Sequence, residues 1–282
     1  MLGLLHCEPM RRRISVVLGF SLLTASLTAC TPSPKPNETL AQMYQDALFD
    51  SQALATSQPE LASLRTEQAE ELLAEIHRIC GFDDEGTVPA SCEVEVPAVA
   101  ILPADDPEQY FSDSQVKILD NLDDIPKDSV TLVIEQFIEQ SSFVQGADTP
   151  ALPDLDLSDE EFATAQDLAD REFSAAWSLG VALSQAPEYQ DAIETAIDNH
   201  HERASLLQTI TDLDTFAEPG YISELPAPTD QASALETVDA VQSNMLQAWH
   251  AAASAATTDS WRVLCAQMAG ATARDISLID AS

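Results

Sequence analysis

Residues 158–184 read SDEEFATAQDLADREFSAAWSLGVALS. Ser158 is followed three positions later by Glu161, the capping-box pattern in which the two side chains satisfy backbone N–H groups left orphaned at a helix start. Behind it Phe162, Ala165, Ala169, Phe173, Ala176, Gly180 and Leu183 recur at three- and four-residue steps, the period of one helix face. One residue breaks the apolar pattern. Glu172 lies three after Ala169 and four before Ala176, so the stripe carries a carboxylate.

The same period continues outward. Pro187 opens a second helix with Ile193, Ile197, Ala204, Leu207 and Ile210 on one face. His200 stands seven residues from both Ile193 and Leu207, again on the stripe. Pro219-Gly220 and Pro226-Ala227-Pro228 mark a loop. A third helix carries Leu235, Val238, Val241, Met245, Trp249 and Ala252, and a fourth, capped by Thr258 or Asp259, carries Trp261, Leu264, Met268, Ala271 and Ile279. Four helices of about 22–28 residues, each about 33–42 Å long, predict an up-down bundle over 158–282. If the first two are antiparallel neighbours, Glu172 and His200 face each other.

Upstream, 146–157 is a Pro- and Asp-rich connector and the expected boundary. Residues 38–145 form an N-terminal helical region. A helix from Glu38 and a second from Pro59, stopped at Gly81, read as a hairpin. Residues 81–128 are a less regular loop region in which Pro107 opens a short helix, and another helix runs from Ser129 to Ser141. The fold class is all-α.

The chain has 282 residues, 45% of them apolar, which suits a packed core. Acidic residues number 48 against 12 basic, a formal net charge of −36. That excludes nucleic acid as a partner, because phosphate binding needs clustered Lys and Arg. No G-x-G occurs to cradle a phosphate. The N-terminus has a different character. Arg11-Arg12-Arg13 precedes the apolar run ISVVLGFSLLTAS (14–26), and Leu27-Thr28-Ala29-Cys30 follows. This is the order of a signal peptide over residues 1–29, with Met10 a second candidate start. Cys30 to Asn37, with the Pro-rich TPSPKP, then reads as a stiff solvated spacer. Without residues 1–29 the chain keeps 47 acidic and 9 basic side chains, spread evenly over both halves. Such a surface favours solubility and repels an anionic membrane.

Two resemblances follow from these stretches. L-T-A-C (27–30) resembles the lipobox of bacterial lipoproteins, which implies export, lipidation of the Cys30 thiol, and anchoring to the outer face of the cytoplasmic membrane. Residues 158–280 resemble a ferritin-like domain of an uncharacterised actinobacterial lipoprotein family, on EFSAAWSLGVALS (172–184), NHHERASLL (199–207) and ALETVDAV with Trp249 and Ala252 (234–252). The resemblance implies a ferritin-like four-helix bundle. A di-iron centre in such a bundle needs two inward Glu and two Glu-x-x-His pairs. The residues three before His77, His200, His201 and His250 are Ala74, Ile197, Asp198 and Gln247, so the set is incomplete.

Export permits disulfides. Cys80 and Cys92 flank a polar, turn-rich segment and are the expected pair, while Cys265, at helical spacing with Trp261 and Met268, is expected as a buried inert thiol. No G-x-S-x-G, H-E-x-x-H or C-x-x-C is present, and Ser114-x-x-Lys117 lacks the companion motifs of a serine–lysine enzyme. Asp154-x-Asp156-x-Ser158 has Asp159 where a calcium loop needs Gly. Motifs therefore call for no cofactor. The expected function is a non-enzymatic binding or scaffold module, held to the membrane by its lipid and meeting an envelope protein or small ligand. The Glu172–His200 pair is expected as a buried contact that fixes helix register. The alternative is a degenerate metal or redox site built from Glu172, Asp198, His200 and His201.

Overall fold

The computed structural model describes residues 33–83, 85–98, 106–144, 155–212, 218, 220–222 and 226–282. The signal segment, Cys30 and most of the 146–157 connector lie outside them. Eight α-helices and no strand occur among the described residues: α1 (Glu38–Leu54), α2 (Pro59–Cys80), α3 (Pro107–Asp120), α4 (Val130–Ser141), α5 (Asp159–Leu183), α6 (Gln190–Thr211), α7 (Gln231–Ala255) and α8 (Asp259–Asp280).

Local chemistry sets most boundaries. Asn37 Oδ1 accepts the Leu40 N–H at 2.9 Å and starts α1, and Pro59 occupies the first turn of α2, where its missing N–H costs nothing. Gly81 ends α2 at φ 81°, a conformation that a side chain would oppose, with its N–H bonded to His77 O at 3.0 Å. The expected disulfide forms: Cys80 and Cys92, with Cα atoms 6.3 Å apart, join the end of α2 to a single 3₁₀ turn at Ala90–Cys92. Loop closure over 12 positions stabilises by roughly 3 kcal/mol. The capping box at α5 is complete, with Glu161 N donating to Ser158 Oγ and Ser158 N to Glu161 Oε2. A second box, missed in the sequence, opens α7 through Asp230 and Ser233.

The order of helices differs from the up-down expectation. α5 packs against α6 and α7, and α8 against α7 and α6. Glu172 meets His200, while Leu179 further along α5 packs with Ile193 earlier on α6, so these two run antiparallel. Glu172 also meets Trp249, and Glu161 meets Thr257, so α5 and α7 are antiparallel as well. α6 and α7 therefore point the same way, and the connection 212–230 joins opposite ends of the four-helix group. A long loop permits this crossover where a tight turn would enforce a hairpin.

The inward face of α5 is wider than the expected stripe. Ala165, Ala169, Phe173 and Ala176 of that stripe are buried, and so are Leu168, Ala175, Leu179 and Ala182 beside it, while Phe162 and Gly180 at its ends are exposed. Two packing partners, α6 and α7, widen the covered face.

Residues Pro34–Ser282 form one compact unit. Its main core crosses the expected boundary: Leu72 and Ile76 of α2 and Ile134 and Phe137 of α4 belong to one cluster with Leu168, Trp249, Trp261 and Leu264. The join is tight where α4 lies on α8. A Cβ added at Gly270 would sit 2.5 Å from Ser141 Oγ and 2.8 Å from the Phe137 ring, so only glycine permits this approach. No helix among the described residues is long and apolar enough to cross a membrane.

Candidate functional site

The polar centre sits inside the α5–α8 group. The i+3 and i+4 spacings that put Glu172 and His200 on apolar stripes turn both inward, and both are fully buried. His200 Nδ1 contacts Glu172 Oε2 directly. A carboxylate accepts, so Nδ1 carries the proton and Nε2 is the outer nitrogen, buried and without a partner. Glu172 Oε1 takes the Trp249 indole N–H at 2.6 Å and Arg203 Nε at 3.0 Å.

Arg203, 5% exposed, links this carboxylate to a second one. Its Nη1 donates to Asp275 Oδ2 of α8 at 2.9 Å, its Nη2 lies 3.0 Å from His200 Nδ1, and Asn199 Nδ2 donates to Asp275 Oδ1 at 2.6 Å. Four helices thus meet in one layer: α5 through Glu172, α6 through Asn199, His200 and Arg203, α7 through Trp249, and α8 through Asp275. Burial alone would raise the Glu172 carboxyl. The Arg203 charge and the bonds from His200 and Trp249 outweigh it and hold the group below its usual range. Burial likewise pulls the Arg203 guanidinium down, and the two carboxylates more than reverse that. Both groups stay charged because each has been given its counter-ion inside.

No protein-family model, curated protein or solved structure matches the chain.

What this centre does must therefore be read from its own geometry. Of the four candidate residues the structure brings together two, Glu172 and His200. Asp198 and His201 are exposed, because they flank His200 on α6 and a helix turns each of them away from a face His200 occupies. His201 lies instead near Phe173, ring centroids 6.1 Å apart. Among the described residues no three His, Cys, Asp or Glu side chains are grouped to hold a metal ion. A metal also does not suit the residues that are grouped. Both Glu172 oxygens and both Asp275 oxygens are bonded to protein donors, and a guanidinium already fills the space between the carboxylates. A second cation there would require Arg203 to leave.

Arg203 and Asp275 are absent from the residues expected at the site, although the sequence carries a signal for both. Arg203 is three after His200 and four before Leu207, and Asp275 is seven after Met268 and four before Ile279. The stripe test that isolates Glu172 and His200 selects them too.

The remaining expectations have structural positions of their own. Cys265 is buried and free, and burial together with the nearby Glu161 carboxylate pushes its thiol well up, so it carries little thiolate. Lys117, the lysine of the Ser114 motif, forms an ion pair with Asp46 at 2.7 Å. Glu161 does more than cap its own helix. Its Oε1 accepts the backbone N–H of Thr257 at 2.8 Å and of Thr258 at 2.9 Å, at the start of α8. Burial opposes this charge, but the backbone donors of Ser158, Thr258 and Thr257 prevail and hold the carboxyl at about 2.

Proposed function

We propose that the chain is a lipid-anchored, non-enzymatic binding or scaffold module of the bacterial cell envelope, tethered through Cys30 to the outer face of the cytoplasmic membrane. The L-T-A-C tetrad behind an arginine-led apolar run supports the tether. Two or more acyl chains give stable anchoring, and none of the highly acidic body need touch the membrane. The body is read as a ferritin-like four-helix bundle over α5–α8. The single crossover between α6 and α7 supports that topology.

The observation that carries the non-catalytic reading is the placement of Arg203. The bundle interior, where a ferritin-like protein assembles carboxylates and histidines around metal, holds a guanidinium clamped between Glu172 and Asp275. Its charges are spent on one another, which suits a device for helix register better than a reaction centre.

The test uses the full chain expressed in a bacterium with a fatty-acid analogue in the medium. The expected result is labelled protein in the membrane fraction for wild type, and unlabelled, released protein for Cys30→Ser. Equal labelling of both overturns the anchor. Elemental analysis of the same preparation checks the metal alternative: a stoichiometric metal that Glu172→Ala removes would overturn the scaffold reading.

A further inference from the structure

A groove of about 810 Å³ lies between α5 and α7. It runs from Thr164 to Ser178 on α5 and, antiparallel, from Ala255 to Val241 on α7, which makes it roughly 21 Å or four helical turns long. Two properties set it apart on so acidic a chain. Its charges are Asp167 and Arg171, which pair at 2.6 Å while each stays more than half exposed, and the rest of its lining is uncharged. Its shape is also uneven. Ile222, in the crossover between α6 and α7, is 99% exposed and stands at the Ser178 end, where the ring of neighbouring Tyr221 lies 6.2 Å from that of Trp177. At the opposite end α7 contributes only Ala251, Ala252 and Ala255, so the groove is hollow there.

We propose that this groove is the interface with a second copy of this chain, joined about a two-fold axis. The formal net charge of −36 makes two copies repel on most approaches, whereas the groove carries no net charge and lets them meet. In a two-fold interface every contact occurs twice, residue i on j and j on i. An axis through the middle of the groove, near Arg171 and Ala248, carries each Ile222 to the alanine end of the other copy. It also sets each Arg171 against the partner's Asp167. A projecting apolar side chain then fills a hollow, and an exposed ion pair within one chain becomes two pairs across the interface. A basic partner would gain more from the acidic faces elsewhere than from a neutral groove. The pairing goes beyond the scaffold reading and rests on the groove, not on the lipid.

The test uses the full chain carrying Cys30→Ser, so that acyl chains do not drive association. This parent is expected to sediment as a dimer at about 100 μM. Arg171→Asp and Asp167→Arg, each at an exposed position, are expected to weaken self-association about tenfold or more while keeping their helical circular dichroism. Each variant sets two like charges against two more. An equimolar mixture of the two variants is expected to recover the dimer, because the acidic pair of one copy faces the basic pair of the other. Ile222→Asp is expected to weaken association several-fold by itself. A monomeric parent at that concentration, an open-ended series of larger species, single variants that associate as well as the parent, or a mixture that stays monomeric overturns the proposal. None of these outcomes touches the labelling of Cys30 or the metal content, so the anchor and scaffold reading stands or falls separately.

Discussion

Among the described residues two arginine–carboxylate sites are buried, and burial wins in one and loses in the other. In the N-terminal region Arg65 donates from Nε at 3.1 Å and Nη2 at 2.8 Å to a single oxygen of Asp50, and from Nη1 to Gln68 Oε1 at 2.6 Å. Burial raises the Asp50 carboxyl above its usual range despite Arg65, and pulls the Arg65 guanidinium down despite Asp50. Between α5 and α8 both directions reverse: Glu172 is lowered and Arg203 raised. The two arginines are comparably buried, so their depth does not separate the sites, although Asp50 keeps more of its side chain in water than Glu172 or Asp275. Ligation does. Arg203 has two carboxylates, and those carboxylates also receive Trp249, His200 and Asn199, whereas Arg65 has one carboxylate and a neutral amide. A buried charge is held when every oxygen of its counter-ions is also satisfied.

The largest expected effect follows from breaking the better site. Arg203→Met leaves Glu172 and Asp275 buried without a counter-ion and is expected to destabilise by about 3–5 kcal/mol in urea unfolding. In a double-mutant cycle with Asp275→Ala the two losses are expected to be less than additive, because both variants break the same contact. Additive losses would mean that the guanidinium owes its stability to Glu172 alone. The seam that joins the two regions comes next. Gly270→Ala drives a methyl into Ser141 Oγ and Phe137. Ser141 has little room to yield, since it accepts from Gln115 at 3.0 Å and donates to Phe137 O at 2.8 Å. A loss near the top of the 1–3 kcal/mol range for overpacking is expected, read as a lower melting temperature.

A third carboxylate, Glu161, extends the comparison to a site where backbone donors do the work of an arginine. Its folded value of about 2 lies below the ordinary 4.5, so its contribution is present above pH 4.5 and fades as pH falls toward 2. Solvent near the helix ends screens part of it, leaving roughly 2 kcal/mol at neutral pH. The stability gap between wild type and Glu161→Gln is expected to close over that interval. A gap that stays constant between pH 7 and pH 2 would show that the hydrogen bonds matter and the charge does not.

Much of this is legible in the sequence, and the reasons are local. The Ser158–Glu161 box, Pro59 at the start of α2 and Gly81 at its end each encode a boundary in a few consecutive residues. Glu172 and His200 stood out because a charged or polar residue on an apolar stripe is conspicuous. Asp275 satisfies the same spacing rule, but in a chain with 48 acidic residues one aspartate on a stripe is a weak signal. Other features had no local encoding. The crossover between α6 and α7 depends on which end of the four-helix group α7 starts from, and a long loop reaches either. The approach of α4 to α8 through Gly270 is a property of two surfaces, and a glycine within a helical pattern does not say what lies against it. Gln242 reads in sequence as an ordinary polar residue, and only packing on all sides turns it into an unsatisfied group.

The smallest effect is the sharpest check on the comparison, because it is expected at an arginine nearly as buried as the one whose loss is costliest. Arg65→Met removes the counter-ion of Asp50, yet Asp50 keeps 16% of its side chain in water and its carboxyl already lies above the usual range. It can take a proton or turn outward at little further expense. The methionine recovers most of the packing of the arginine stem. Gln68 keeps bonds to Gln140, Gln136 and Glu139. A loss of about 1 kcal/mol is expected at neutral pH, shrinking as acid neutralises Asp50. Should Arg65→Met cost as much as Arg203→Met, counter-ion number would not be what separates the two sites, and depth of burial would have to replace it.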